Sequence, residues 1–188
     1  MQGYLAALTL ILLIGLVVFR VVGLNRSGIR AMNFGRMDKS DFLIPPFALF
    51  YFYTIFAAAF DLPLISTQRF WRSDAVAWLG VFLCAVGLLC LLWSLISFGR
   101  SFRVGIDNER PDKLVTTGVF AHSRNPIYVG FIAVLLGQLL VFPNWIPLIY
   151  LVAGAWLINR QVVREEAFLR QQYGAEYEAY CRRVRRYV

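Results

Sequence analysis

Thirty-five consecutive residues, Asn125 to Asn159, contain no Asp, Glu, Lys or Arg. As one helix they would extend about 52 Å, well beyond a hydrocarbon core about 30 Å thick. Phe142-Pro143-Asn144-Trp145, followed by Pro147, puts a break near the middle, because proline lacks a backbone donor and clashes with the preceding turn. The spacing predicts a tight helical hairpin with arms of roughly fifteen residues, each a little short of a full span. Its ends near Arg124 and Arg160 would then be recessed below the membrane surface. A re-entrant pair is the alternative, and either version returns the chain to the side it left.

The rest of the chain has the same texture. Of its 188 residues, 59% are hydrophobic, against about 45–50% for a soluble domain. Three more uncharged or nearly uncharged segments read as crossings: Gly3 to Leu24, Phe42 to Phe60 and Ala75 to Gly99. Pro45 and Pro46 sit in the first turn of the second, where proline costs least. Arg20, near the end of the first, is expected to snorkel to the interface. That first segment lacks a basic flank and a small-residue cleavage site, so it reads as a retained helix rather than a signal peptide.

Charge then sets orientation. Sixteen Lys and Arg residues fall in three clusters, Asn25–Asp41, Arg100–Arg124 and the tail after Asn159, against Arg69 and Arg72 opposite. The positive-inside rule predicts five crossings, with the N-terminus outside and the tail cytoplasmic, in a membrane such as the bacterial inner membrane. The expected fold is one all-α integral membrane domain over residues 1–188: three crossings in 1–99, then a loop, the hairpin and an amphipathic C-terminal helix in 100–188. Val162, Leu169, Tyr173, Tyr177, Tyr180 and Val184 share one helical stripe of that tail, and Gly174 is a natural C-cap within it. The stripe reads as packing. Arg182-Arg183-Val184-Arg185-Arg186 reads most simply as a hold on anionic lipid.

Several functions are disfavoured. The net charge of +8 lies in clusters flanking apolar segments, with no aromatic-interleaved basic face, so nucleic acid is not an expected partner. Cys84, Cys90 and Cys181 form no paired motif and the lone histidine is His122, so neither a disulfide framework nor a metal site is expected.

The elbow Ser123-Arg124-Asn125-Pro126-Ile127-Tyr128 enters the hairpin, and Glu165-Glu166 follow it closely. Hairpin closure brings the two together, and the preceding loop, with Gly105 and Gly118, is tethered beside them. Arg124 can grip a carboxylate, Tyr128 offers a ring and a hydroxyl, and the glutamates accept from a diol or a cationic amine. That set suits a small zwitterionic, aromatic cofactor. The plainer readings are an interfacial helix start, and a solvated Glu-Glu face with Glu166 paired to Arg170 one turn on.

LVTTGVF, SRNPIYVG and REEAFLRQQYGAEYEAYCRRVRR, in that order around an apolar hairpin, resemble the isoprenylcysteine carboxyl methyltransferases, most closely their short bacterial members. The resemblance covers residues 100 to 188. It implies S-adenosyl-L-methionine as cofactor and a lipophilic acceptor reached from the bilayer. By position it puts Gly105, Asp112, Lys113, Leu114, Val115 and Phe120 in the cofactor loop. Asn125, Pro126, Ile127, Tyr128 and Glu165 follow as cofactor-binding residues, and Glu166 as support. Asn125 stands where the family commonly has His, and Phe120 where it usually has Tyr. Four residues before Glu165, eukaryotic members carry an Arg for the substrate carboxylate; here Gln161 stands there, beside Arg160. Arg160, Gln161, Glu165 and Glu166 are accordingly the candidate catalytic residues. The acceptor implied is a prenylated cysteine or related isoprenoid, then a phospholipid amine or hydrophobic thiol. A nicotinamide-dependent sterol-type reductase, with a similar hairpin and tail, and a non-catalytic membrane scaffold are the rivals.

Overall fold

A computed structural model describes residues 1–26, 44–62, 69–98 and 114–188. Among these residues six α-helices form: α1 Gln2–Arg26, α2 Ile44–Ala59, α3 Asp74–Phe98, α4 Pro126–Val141, α5 Trp145–Tyr173 and α6 Ala175–Arg183. A single 3₁₀ turn, Gly118–Ala121, precedes α4, and no strand occurs among the described residues. The expectation of an all-α membrane protein is met. Gln2–Gly23, Asp74–Phe98 and Trp145–Tyr173 are long and apolar enough to cross a bilayer, and Ala48–Ala59 and Pro126–Val141 are shorter apolar helices.

Successive helices alternate in direction. At one end Gly3 of α1 lies against Phe142 and Ala59, Tyr4 packs edge-on to Phe60, and the Phe70 amide donates to the Pro143 carbonyl at 2.7 Å. At the other end Val21 of α1 and Leu95 of α3 pack with Phe98 and with Ile127 of α4. The hairpin turn therefore sits at one pole and the elbow at the opposite one.

The predicted break is where the hairpin folds. α4 stops at Val141, and Asn144 caps α5 by accepting from the Ile146 amide at 2.9 Å. Pro147, in the first turn of α5, needs no intrahelical partner. The second arm departs from expectation. Rather than ending near Asn159, α5 continues unbroken for 29 residues to Tyr173. Nothing between Asn159 and Glu165 breaks a helix, and the straight-chain Arg and Gln residues there favour one. Glu165 and Glu166 thus ride on the same rigid rod as the apolar arm. Gly174, at φ +48°, ends that rod as the sequence predicts.

α3 and α4 meet at closer range than any other pair through two glycine crossings. A Cβ on Gly137 would lie 2.5 Å from the Gly80 carbonyl oxygen, and one on Gly87 would lie 2.7 Å from that of Gly130. In lipid no hydrophobic gain drives helices together, so close backbone approach through small residues is what holds such a pair. Cys84, buried between the crossings, points its thiol at the Val134 carbonyl, and the Cys90 thiol donates to the Pro126 carbonyl at 3.3 Å. α1 is pinned to α4 by Gln138, whose Nε2 donates to the Ala6 carbonyl at 2.8 Å inside the core. Arg20 does not snorkel fully: its Nε and Nη2 are buried and have no hydrogen-bond partner among the described residues.

Candidate functional site

Pro126 opens α4 at a position where its missing amide costs nothing, and Asn125, non-helical at φ −131° and ψ 52°, lets the chain turn into the helix. One turn on, Tyr128 faces α5 and donates its hydroxyl to Glu165 Oε1 at 2.6 Å. Gln161, one turn before Glu165, donates Nε2 to the same oxygen at 2.9 Å. Both donors converge on one oxygen, so Oε2 carries no hydrogen bond among the described residues. The uncharged part of α5 ends at Asn159, which leaves Glu165 beyond the apolar span.

The neighbouring carboxylate does a different job. Glu166 is only 1% exposed. Its Oε2 accepts from Arg186 Nη2 at 2.8 Å and Nε at 3.1 Å. Its Oε1 accepts from Asn125 Nδ2 at 3.3 Å and lies 3.5 Å from Arg124 Nη1. Asn125 Nδ2 also donates to the Arg186 carbonyl at 3.1 Å, and the Arg124 amide donates to the Arg185 carbonyl at 3.0 Å. Arg124 Nη1 contacts Cys181 Sγ as well. A buried carboxylate with charged, directed donors on both oxygens ties the elbow, α5 and the tail into one knot. The hydrogen bond to Glu166 in turn raises the pKa of Arg186.

Two expectations are corrected here. Glu166 does not pair with Arg170; Arg170 bonds Glu178 across Gly174 at 2.9 Å instead, because the turn at Gly174 folds α6 back beside α5. Arg186 is not free for lipid, because Glu166 holds it. The tyrosine stripe is packing, as expected: Tyr177, Tyr180 and Val184 form a small core with Leu114 and Leu169. The Tyr180 hydroxyl donates to the Phe120 carbonyl at 2.7 Å. Burial pushes that phenol up to about 12, with the positive charge of Arg124 opposing.

The sequence-predicted site residues separate into groups. Asn125, Tyr128, Gln161, Glu165 and Glu166 come together. Pro126 and Ile127 turn toward the helix core, Ile127 against Val21 and Leu95. Phe120 packs its ring edge-on to Phe98 at 4.5 Å, on a turn anchored where Ser97 Oγ accepts the Val119 amide. Leu114 joins the tyrosine core and Val115 is half-buried. Arg160 is exposed, its guanidinium 5.9 Å from the Trp156 ring centroid. Gly105, Asp112 and Lys113 lie outside the described residues. Arg186 was not recognisable from sequence, since nothing local distinguishes it from Arg182, Arg183 and Arg185.

Fold and site together define an all-α membrane protein with a polar, carboxylate-centred site at the open end of a helical hairpin. The phospholipid methyltransferase family profile matches residues 75–176, just over half of the chain, and the chain belongs to that family. The matched part runs from α3 through the knot's Glu166, leaving α1, α2 and Arg186 outside. The chain is similar to a probable protein-S-isoprenylcysteine O-methyltransferase of Oryza sativa subsp. indica, 30% identical over 112 residues, 58% of this chain and 59% of the relative. It is likewise similar to the protein-S-isoprenylcysteine O-methyltransferase of Schizosaccharomyces pombe, 31% identical over 53% of this chain and 46% of the relative. The Homo sapiens enzyme of the same name is 29% identical over 70% of this chain and 49% of its own length. The chain therefore spans about half to three-fifths of these relatives. The resemblance to isoprenylcysteine methyltransferases holds, and these relatives favour neither the reductase nor the scaffold alternative. No solved structure matches the chain significantly.

Proposed function

We propose that this chain is an integral membrane methyltransferase that uses S-adenosyl-L-methionine and methylates a lipophilic acceptor, foremost an isoprenylcysteine-type carboxylate. The observation that carries this is the Tyr128–Glu165 pair at 2.6 Å, held at the mouth of the hairpin in a chain of this family. Five crossings, with the N-terminus outside and the tail cytoplasmic in a bacterial inner membrane, are supported by the alternating helix directions and by the basic clusters gathered at the site end. α4, with 16 residues, is about 24 Å long, so its elbow would lie below the membrane surface, within reach of acceptor and cytosol alike.

The donor set fits the cofactor. Glu165 has one oxygen anchored and one free, which suits a ribose diol or a cationic group. Tyr128 fixes that carboxylate's orientation and adds an aromatic face. Asn125 is held by the Glu166 knot, which sets where the elbow backbone lies. By the resemblance, Leu114 and Val115 would contribute to the cofactor site, as would Gly105, Asp112 and Lys113, which lie outside the described residues. The cofactor, when bound, supplies an electrophilic methyl group on a positively charged sulfur. A carboxylate acceptor needs no base, because it arrives ionised; an amine or thiol would need one, and Glu165 is the nearest carboxylate. Bringing opposite charges together in a site screened from water disfavours the separated ions, so alignment and desolvation by Tyr128, Gln161 and Glu165 supply the acceleration.

The test is direct. Purified protein should gain thermal stability with S-adenosylhomocysteine and not with NADPH, and should transfer labelled methyl from S-adenosylmethionine to an N-acylated S-prenylcysteine. Protection by NADPH alone, or no transfer to any extracted membrane lipid or prenylcysteine, overturns the proposal.

A further inference from the structure

The tail beyond α6 does not lead away from the site. Val184 adopts an extended backbone, and from there the chain runs as a strap across the elbow. The Arg185 carbonyl accepts from the Arg124 amide at 3.0 Å, and the Arg186 carbonyl accepts from Asn125 Nδ2 at 3.1 Å. Arg186 turns its guanidinium onto Glu166. The next side chain, Tyr187, crosses to α5 and donates its hydroxyl to Asn159 Oδ1 at 3.0 Å. That hydroxyl also lies within electrostatic reach of Tyr128 and Glu166. Tyr187 is thus fixed from both ends beside the Tyr128–Glu165 pair, yet it is only half-buried.

Its position along α5 decides what it can meet. Asn159 is the last residue of the uncharged run, and Glu165 follows six residues on, about 9 Å further toward the site pole. The Tyr187 hydroxyl therefore stands on the bilayer side of Glu165, where the apolar arm gives way to the polar knot. A hydrophilic cofactor reaches Glu165 from water. A lipophilic acceptor that keeps its tail among the apolar arms must bring its head group past this boundary. Tyrosine suits the place, because its ring packs against hydrocarbon while its hydroxyl keeps a polar contact. Asn159 is exposed and its Oδ1 is occupied by Tyr187. Its Nδ2 makes no hydrogen bond among the described residues and can donate to a carbonyl or carboxylate oxygen of the acceptor.

We propose that Tyr187 and Asn159 form the acceptor's side of the site, holding the head group of the lipophilic substrate in line with the Tyr128–Glu165 pair. This rests on the methyltransferase reading above and adds the residues that position the acceptor rather than the cofactor. Tyr187 lies beyond the family match, which ends at residue 176, and no local pattern singles it out in the basic tail.

The experiment measures labelled methyl transfer to an N-acylated S-prenylcysteine by the full chain in detergent, alongside melting with S-adenosylhomocysteine. Tyr187→Ala should raise KM for the acceptor about tenfold, with a smaller change in kcat. Tyr187→Phe keeps the ring and loses the bond to Asn159, and should raise KM about threefold. Asn159→Ala should cost at least as much, and adding Tyr187→Phe to it should cost nothing more, because the hydroxyl acts through Asn159. Melting temperature and protection by S-adenosylhomocysteine should stay unchanged in every variant. An unaltered KM in Tyr187→Ala overturns the assignment and leaves the methyltransferase reading intact; if that variant does not fold, Tyr187→Phe and Asn159→Ala decide in its place. Additive effects of those two substitutions also overturn it, since the residues would then not act as a pair. So does a loss of S-adenosylhomocysteine protection that parallels the rise in KM, as Arg186→Ala should give, because Tyr187 would then be a prop for the Glu166 knot. Failure of the unsubstituted protein to methylate the acceptor sinks the underlying reading, and the role of Tyr187 with it.

Discussion

At the residue scale, two adjacent glutamates have divided two tasks. Glu165 keeps one oxygen without a hydrogen bond among the described residues, and Glu166 is wholly engaged in the scaffold. Glu165→Gln and Tyr128→Phe should each weaken S-adenosylhomocysteine binding about tenfold with little loss of melting temperature, measured by calorimetry and thermal unfolding. Affinity should also fall on acidification. Ionised Glu165 is the binding form, so that loss should follow its protonation and be absent in Glu165→Gln. Glu166→Ala behaves differently, leaving Arg124 and Arg186 without their carboxylate. Arg186 is 39% exposed at its side chain, so water compensates part of the cost, and about 1–3 kcal/mol of stability should be lost. A double-mutant cycle with Arg186→Ala should show strong coupling; additivity would mean that the knot is not a unit.

At the element scale, the hairpin and its break were legible because proline and the absence of charge act locally. The continuity of α5 was missed because the charges after Asn159 mark a change of solvent, and a helix can cross such a boundary unbroken. The α3–α4 crossings were not anticipated either: Gly80, Gly87, Gly130 and Gly137 are unremarkable singly, and only pairing across two helices gives them meaning. The site followed the same rule. Tyr128 and Glu165 could be brought together by closing one hairpin, whereas Glu166–Arg186 depends on how α6 folds back, which no local pattern specifies. Gly137→Val would drive its side chain into the Gly80 carbonyl and Cys84. It should lower the melting temperature by several degrees and weaken cofactor binding as the elbow shifts. Gly15→Val, with open space around it, should change neither.

For the whole molecule, the two poles differ in kind. The turn pole is aromatic and closed by Phe70, Trp145 and Phe142; the site pole is charged and held by hydrogen bonds. Topology can be read from that difference. In a Cys181→Ser background, a cysteine replacing Val188 should react with a membrane-impermeant maleimide only after cells are opened, and one replacing Ser73 should react in intact cells. The reverse pattern would invert the orientation.

The Glu166 knot also has a bearing on how the protein comes into being. Its bonds reach across 41 residues to Asn125 and 20 to Arg186, so the knot cannot be complete until α4 and α5 lie side by side. Bilayer insertion must come first and assembly of the polar pole last, the ordering entropy of those long segments being met only once their anchors are in place. A chain halted midway in biogenesis would carry its helices in lipid with the site pole still unassembled.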